Sequence, residues 1–317
     1  MKYATLNTDM SIPMLGLGTY ALRGAECERC VLEALELGYR LFDTAQMYGN
    51  EREVGNALRR GGLPRNEMFV TTKLYRPSTS YGRAKQGIEE SLNTLQLDYI
   101  DLLLIHEPYR EAEEMYPALE EAYRAGRLRA IGVSNFNAPR YEKFLRACTV
   151  IPAVNQVEAH VFFQQKGLLE EMKKHGTHMQ AWSPFAAGKN DIFNNALLRD
   201  LGSFYGKTPA QIALRYLVQL GISVIPKSSH KERMKEIMKG LGYTGENLVE
   251  DMLAYTLECD AVISIVPLQD LLGYGQEARI NLPGTVGPHN WSYKLTSFDD
   301  YQNQIQIIQK TLKKAKR

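Results

Sequence analysis

Short, almost continuously apolar runs alternate along most of this chain with segments whose apolar residues recur every three or four positions. The runs are "LGLGTY" (15–20), "YRLFDTA" (39–45), "MFVTTKL" (68–74), "IDLLLIH" (100–106), "AIGVSNF" (130–136), "VNQVEA" (154–159), "HMQAWSP" (178–184) and "ISVIPKS" (222–228). The segments between them include "REVGNALRR", "GRAKQGIEESLNTLQ", "MYPALEEAYRAG" and "PAQIALRYLVQLG". A run without polar alternation is a strand buried on both faces. Spacing of three and four is an amphipathic helix. Strands of that kind alternating with helices predict a parallel sheet covered by helices. Eight such units in about 240 residues fit the size of an α/β (β/α)8 TIM barrel. A doubly wound open sheet is the other reading. However, no glycine-rich GxGxxG follows the first strand, so the usual dinucleotide fingerprint of that fold is missing.

Composition narrows the class. The 317 residues are 44% hydrophobic and 23% charged, with a formal net charge of +2. Such a balance excludes a global field that would recruit nucleic acid or an acidic membrane surface. The first residues, "MKYATLNTDMSIPML", lack a signal peptide's apolar centre, and no apolar run approaches a membrane span. The cysteines are Cys27, Cys30, Cys148 and Cys259. Cys27 and Cys30 form a CxxC on a predicted helix, without a second pair or nearby histidines, so no metal site is expected. Reduced thiols and a cytoplasmic location are the expectation.

In a barrel of this kind the chemistry sits where strands finish, at the C-terminal face. Asp43 ends the second run, with Tyr48 just beyond. Lys73 ends the third and His106 the fourth. A single histidine at a strand end is more often structural, but four ionisable residues finishing three successive strands converge on one mouth. A phenol ordinarily titrates near 10, too high for an easy proton donor at neutrality. A neighbouring ammonium favours the phenolate, so Lys73, fixed by Asp43, is expected to lower the pKa of Tyr48. His106 would orient a carbonyl oxygen while Tyr48 protonates it. The set suits carbonyl reduction with hydride from a nicotinamide.

These residues carry a resemblance. "LGLGTY", "FDTAQMYGNE", "TTKL", "LLLIHEP", "GRLRAIGVSNF", "NQVEAH", "AWSP" and "IPKSSHKER" occur in order over residues 1 to about 236. That stretch resembles the aldo-keto reductase family, nearest to bacterial members similar to diketogluconate reductases. The resemblance implies a catalytic tetrad at Asp43, Tyr48, Lys73 and His106. It implies that Ser134, Asn135 and Gln156 hold the nicotinamide carboxamide and that Trp182 stacks on its ring. Ser183 and Thr19 match positions near the pyrophosphate and ribose. Lys227, Ser228 and Arg233 match a clamp on the 2′-phosphate, which favours NADPH (NADP+) over NADH, since a dianion is well served by lysine and arginine. Glu236 matches one half of a Glu–Asn pair at the adenine, but Ile237 stands where the asparagine is expected. A small-molecule carbonyl substrate and a monomer are implied.

Beyond this point the likeness changes. "SIVPLQDLLGYGQEARINLPGTVGPHNW" (264–291) and its surroundings resemble the end of 4-α-glucanotransferases (amylomaltases). The chain therefore reads as two parts: a reductase-like barrel, 1–240, and a glucanotransferase-like segment, 241–317, joined near 236–243 as in a fusion or chimera. Transferase activity is not expected. That chemistry needs two carboxyl groups flanking the sugar bond, and the donor family carries them on strands that this chain does not contain. Asp270 and Glu277 match sugar-site surroundings at most. The tail predicts helix–strand–helix, with "AVISIVPL" a surplus ninth strand. A closed eight-strand barrel has no edge for it. It would pack outside, replace strand eight or rearrange the barrel, and an intact barrel with an appendage is favoured. A working NADPH-dependent reductase is the first expectation. A folded chimera with little activity is the alternative.

Overall fold

The computed structural model describes residues 1–243. The chain divides into two compact units, Met1–Thr244 and Gly245–Arg317. From residue 244 on, the glucanotransferase-like tail, its surplus strand included, lies outside the described residues.

The first unit opens with β1 (Tyr3–Thr5) and β2 (Ser11–Pro13), an antiparallel hairpin. Then follow β3 (Leu17–Gly18), α1 (Gly24–Glu36), β4 (Leu41–Asp43), α2 (Glu51–Arg60), β5 (Phe69–Leu74), α3 (Tyr81–Leu95), β6 (Leu102–Ile105) and α4 (Ala112–Arg124). The remainder is β7 (Ile131–Ser134), α5 (Ala138–Leu145), β8 (Val154–Glu158), α6 (Lys166–Lys174), β9 (His178–Trp182), α7 (Ala196–Tyr205), α8 (Pro209–Gln219), β10 (Ser223–Val224) and α9 (Lys231–Leu241). Strands β3 to β10 form one parallel ladder in sequence order. The ladder closes on itself. Val224 N donates to Met14 O and Gly16 N to Val224 O, both at 2.9 Å, and Gly18 N donates to Pro226 O at 3.2 Å. Closure removes both sheet edges and excludes the open doubly wound arrangement. The contact is close: a Cβ on Gly18 would stand 2.7 Å from the Ile225 carbonyl oxygen.

The apolar runs are apolar because both faces of each strand are covered. Every residue of β4 to β7 is buried. One cluster lies between strands and helices, where Phe42, Val70, Leu103, Ile131 and Met179 meet Val31, Leu58, Leu92 and Leu119. A second lies inside the ring, where Leu41, Phe69, Leu102, Leu104 and Val154 meet Leu6 and Ile12 of the hairpin region. The hairpin plugs the end of the barrel where the strands begin, away from their C-terminal ends. Its strands are three residues long, too short for a periodic signal, and the sequence reading places no element there.

Helix α8 begins where its sequence says it should. Thr208 and Gln211 make a reciprocal capping box with Pro209 in the first turn. Helix α9 buries Met234, Ile237, Met238 and Leu241, a stripe at spacings of three and four. Ile237 is therefore a packing residue, while Arg233 and Glu236 lie on the exposed face. The buried Tyr39 hydroxyl donates to Met234 O at 3.2 Å, tying α9 to the barrel wall.

Candidate active site

The ladder register decides which side chains share the barrel interior. Asp43 pairs with Thr71, and Lys73 is two residues further along β5, on the same face. Gln156 pairs with Gln180. In the ring β8 stands four places from β4, on the opposite wall. Each of these residues is at most 1% exposed. A buried charge persists only if paired and hydrogen-bonded, and here each is. The Lys73 ammonium donates to Asp43 Oδ1 at 2.6 Å, to Thr44 O at 2.8 Å and to Tyr48 Oη at 3.3 Å. Gln156 Nε2 reaches across the barrel to Asp43 Oδ2 at 2.6 Å and also to Gln180 Oε1 at 2.7 Å.

An ammonium has three protons, and these three contacts use all of them. Tyr48 Oη accepts one, so the phenolic proton is turned away from Lys73. Tyr48 itself is placed by a short 3-10 turn, Gln46–Tyr48, which ends at Gly49 with a left-handed φ of 63°. Gln46 anchors the turn to α3 through Gly87 O at 2.8 Å. Buried Asn50 locks the loop from behind, donating to Thr19 O and Leu22 O and accepting from Thr44 Oγ1. The Arg23 guanidinium donates to Tyr48 O.

The His106 ring meets the Tyr48 ring edge to face, centroids 5.6 Å apart. Burial, with the Lys73 charge adding to it, pushes the His106 imidazole down to about 3, so it is neutral in ordinary buffers. Its Nδ1 is buried and has no partner among the described residues. Burial alone would push the Lys73 ammonium down, but Asp43 and the Tyr48 oxygen reverse this and hold it above its ordinary value. Burial likewise raises Asp43, opposed by Lys73 and Gln156.

Tyr48 departs from the sequence-based expectation. Lys73 does pull its pKa down, as expected, but burial pushes it up by more and Asp43 adds to the rise, so the phenol titrates above its ordinary value. The expectation weighed the ammonium and left out desolvation. The consequence is a phenol that keeps its proton until a partner with developing negative charge takes it.

A cavity of about 590 Å³ opens over this network. Of the residues singled out in the sequence, Asp43, Tyr48, His106, Ser134, Asn135, Gln156, Trp182, Ser183 and Lys227 line it. Lys73 lies just beneath. Trp182 Nε1 donates to Asn135 Oδ1 at 2.8 Å, and Asn135 Nδ2 donates to His106 O at 3.3 Å, so these neighbours fix one another. Ser134 Oγ donates to Gln156 O at 2.9 Å. Asn135 and Ser183 hold left-handed φ values of 65° and 47°. Such conformations are uncommon outside glycine and recur at ligand sites.

Besides Lys73, four of the singled-out residues do not line the cavity. Thr19 is fully buried and its hydroxyl donates to Asp43 O at 2.9 Å, while its neighbours Gly18 and Tyr20 face the space. Ser228 Oγ bonds the His230 backbone, donating to its carbonyl at 3.2 Å and accepting from its N–H at 3.1 Å. Arg233 and Glu236 are exposed on α9, where the Glu236 carbonyl accepts Gln211 Nε2 at 2.7 Å. The structure adds wall residues that the sequence did not single out, Tyr20, Met47, Phe185 and Phe193, and places Glu107 beside them. Glu107 was within reach, since it directly follows His106. No metal-holding cluster occurs among the described residues. No helix among them is long and apolar enough to cross a membrane.

Comparison with known proteins finds relatives in sequence and in fold. A family model described as "Aldo/keto reductase family" matches residues 14–260, running past the joint read near 236–243. The chain is 42% identical over 235 residues to the 9,11-endoperoxide prostaglandin H2 reductase of Trypanosoma cruzi (strain CL Brener), covering 73% of this chain and 83% of that protein. It is 36% identical over 276 residues to the morphine 6-dehydrogenase of Pseudomonas putida, covering 83% and 92%. Among solved structures, MGS-M4, an aldo-keto reductase enzyme from a Medee basin deep-sea metagenome library, superposes with a TM-score of 0.74 at 38% identity, covering 77% of this chain and 92% of that one.

Proposed function

The chain belongs to the aldo/keto reductase family, and from that premise we propose that it reduces an aldehyde or ketone to the alcohol, with hydride from NADPH and the proton from Tyr48. The observation that carries this reading is the three-way donation by Lys73, which leaves the Tyr48 proton free for the cavity.

The residues present fit a nicotinamide. Gln156 has both amide protons engaged, on Asp43 and Gln180, so its Oε1 is left to accept from a carboxamide N–H. Trp182 has its indole pinned by Asn135, which sets the ring as a fixed wall for stacking. Lys227 is exposed at the cavity edge and Arg233 in the first turn of α9. Two cations there favour NADPH, whose 2′-phosphate they would grip. When bound, the nicotinamide supplies the hydride.

This chain's residues do the rest. A substrate carbonyl oxygen beside Tyr48 and His106 meets a phenolic O–H and a neutral imidazole. As the oxygen gains negative charge, Tyr48 transfers its proton to it. Lys73 stabilises the phenolate this leaves, at the same 3.3 Å contact, and Asp43 keeps Lys73 charged. The low dielectric of the buried site strengthens each of these interactions.

A second reading, a recombined barrel with little turnover, draws on the relatives' coverage. The 235-residue alignment leaves part of the trypanosomal reductase unmatched, and the resemblance to glucanotransferases begins near residue 241. One experiment separates the two. Purified protein is titrated with NADPH, following tryptophan fluorescence, and a nitrobenzaldehyde is then added. Binding followed by NADPH oxidation that is lost in Tyr48→Phe supports the reductase. Binding without oxidation supports the recombined barrel.

A further inference from the structure

Three charged side chains line the cavity among the described residues: Asp43, Lys227 and Glu107. Asp43 is closed off in its pair with Lys73. Lys227 follows β10, four places round the ring from β6 and so on the opposite wall. Glu107 follows β6 directly, half-buried, next in the chain to His106. It forms no ion pair among the described residues. Burial pushes its carboxyl above the ordinary range, and only the Asn135 side chain acts in the other direction. Aromatic and aliphatic residues, Tyr20, Met47, Phe185 and Phe193, make up the facing walls.

A carboxylate partly withdrawn from water without a counter-charge raises the energy of its site. Something that brings a positive charge lowers it, and a second anion raises it further. Because Glu107 adjoins His106, it acts on substituents within a few bonds of the reacting carbonyl. Glu107 and Met47 also line a second cavity of about 790 Å³, whose cations, Arg76 and Arg110, are exposed. Solvent screens those two, so the charge read close to the carbonyl is that of Glu107. We propose that Glu107 is a specificity-determining residue that selects carbonyl compounds carrying a cationic group near the carbonyl and rejects carboxylates of the same shape. This rests on the reductase reading above.

The test compares kcat/KM, with NADPH, for benzaldehydes bearing a para-trimethylammonium or a para-carboxylate group, in the wild type and in Glu107→Gln. The expected cation-to-anion ratio in the wild type is about tenfold or more, reduced to within about threefold in Glu107→Gln. A role limited to holding Asn135 would lower both rates together and leave the ratio unmoved. An unmoved ratio overturns the proposal, as does a wild-type preference for the carboxylate. If neither aldehyde is turned over by the wild type, the reductase reading fails separately. Equilibrium binding of benzyltrimethylammonium and of phenylacetate to the NADPH-loaded protein then decides the charge preference. Tighter binding of the cation that is lost in Glu107→Gln supports it, and equal or reversed affinity overturns it.

Discussion

The barrel interior and the barrel rim use charge in opposite ways. Inside, Asp43, Lys73 and Gln156 are buried, and both Lys73 and Gln156 donate to the Asp43 carboxylate at 2.6 Å. On the rim, Lys227, Arg233 and Glu236 are exposed, and none forms an ion pair with another described residue. A buried ionic network has one arrangement, because any other strands a charge in low dielectric. Exposed cations stay solvated and can order around an anion when it arrives. The interior is thus built for a reaction geometry, and the rim for a grip formed on binding. Breaking the interior ion pair should change stability and turnover together, removing the proton donor it supports should change turnover, and perturbing the rim should change affinity alone.

The largest effect is expected from Lys73→Met. It leaves Asp43 buried without its cation, which costs about 3–5 kcal/mol, and it removes the partner of the Tyr48 phenolate. Denaturant unfolding should show the loss, with turnover abolished. A Lys73→Met protein of wild-type stability would break the comparison. Next is Tyr48→Phe, which removes only the proton donor. Its expected cost is about 10²–10⁴-fold in kcat, with a thermal midpoint and NADPH affinity close to the wild type. Acidification comes third. His106 and His178 are pushed down by burial to about 3 and about 4. Below the ordinary value of 6.5 the unfolded chain takes protons that the folded interior refuses. This stability is therefore present in full above about 6.5 and is lost as pH falls towards 4 and then 3. Midpoints measured from pH 7.5 down to 4.5 should fall, and a flat profile would contradict the buried, neutral imidazoles.

Much of this was legible in the sequence, for physical reasons. The eight strands announced themselves because burial on both faces demands continuous apolar runs. Asp43, Lys73 and His106 stood out because each ends such a run. The three-residue strands Tyr3–Thr5 and Ser11–Pro13 carry too few positions for any period to show. The direction of the Tyr48 shift was not legible, since it depends on burial that only the folded loop creates. The Thr19 hydroxyl turning to Asp43 O is likewise a matter of side-chain direction. Glu107 directly follows His106, but which residue after a strand end turns its side chain to the cavity is settled only by the fold. Ile237 was read as a departure from an adenine contact, and in α9 it proves to belong to the buried stripe.

The smallest effect is expected on the rim. Arg233→Ala removes an exposed side chain, so the midpoint should barely move. The lost charge-assisted contact should raise KM for NADPH about tenfold or more.

The most direct measurement sets the two regions side by side: kcat and KM for NADPH in Tyr48→Phe and Arg233→Ala, under one set of conditions with one aldehyde. The account predicts a clean split, with Tyr48→Phe losing kcat at nearly unchanged KM and Arg233→Ala raising KM at nearly unchanged kcat. Retention of kcat by Tyr48→Phe, or loss of kcat without a change in KM in Arg233→Ala, would contradict it.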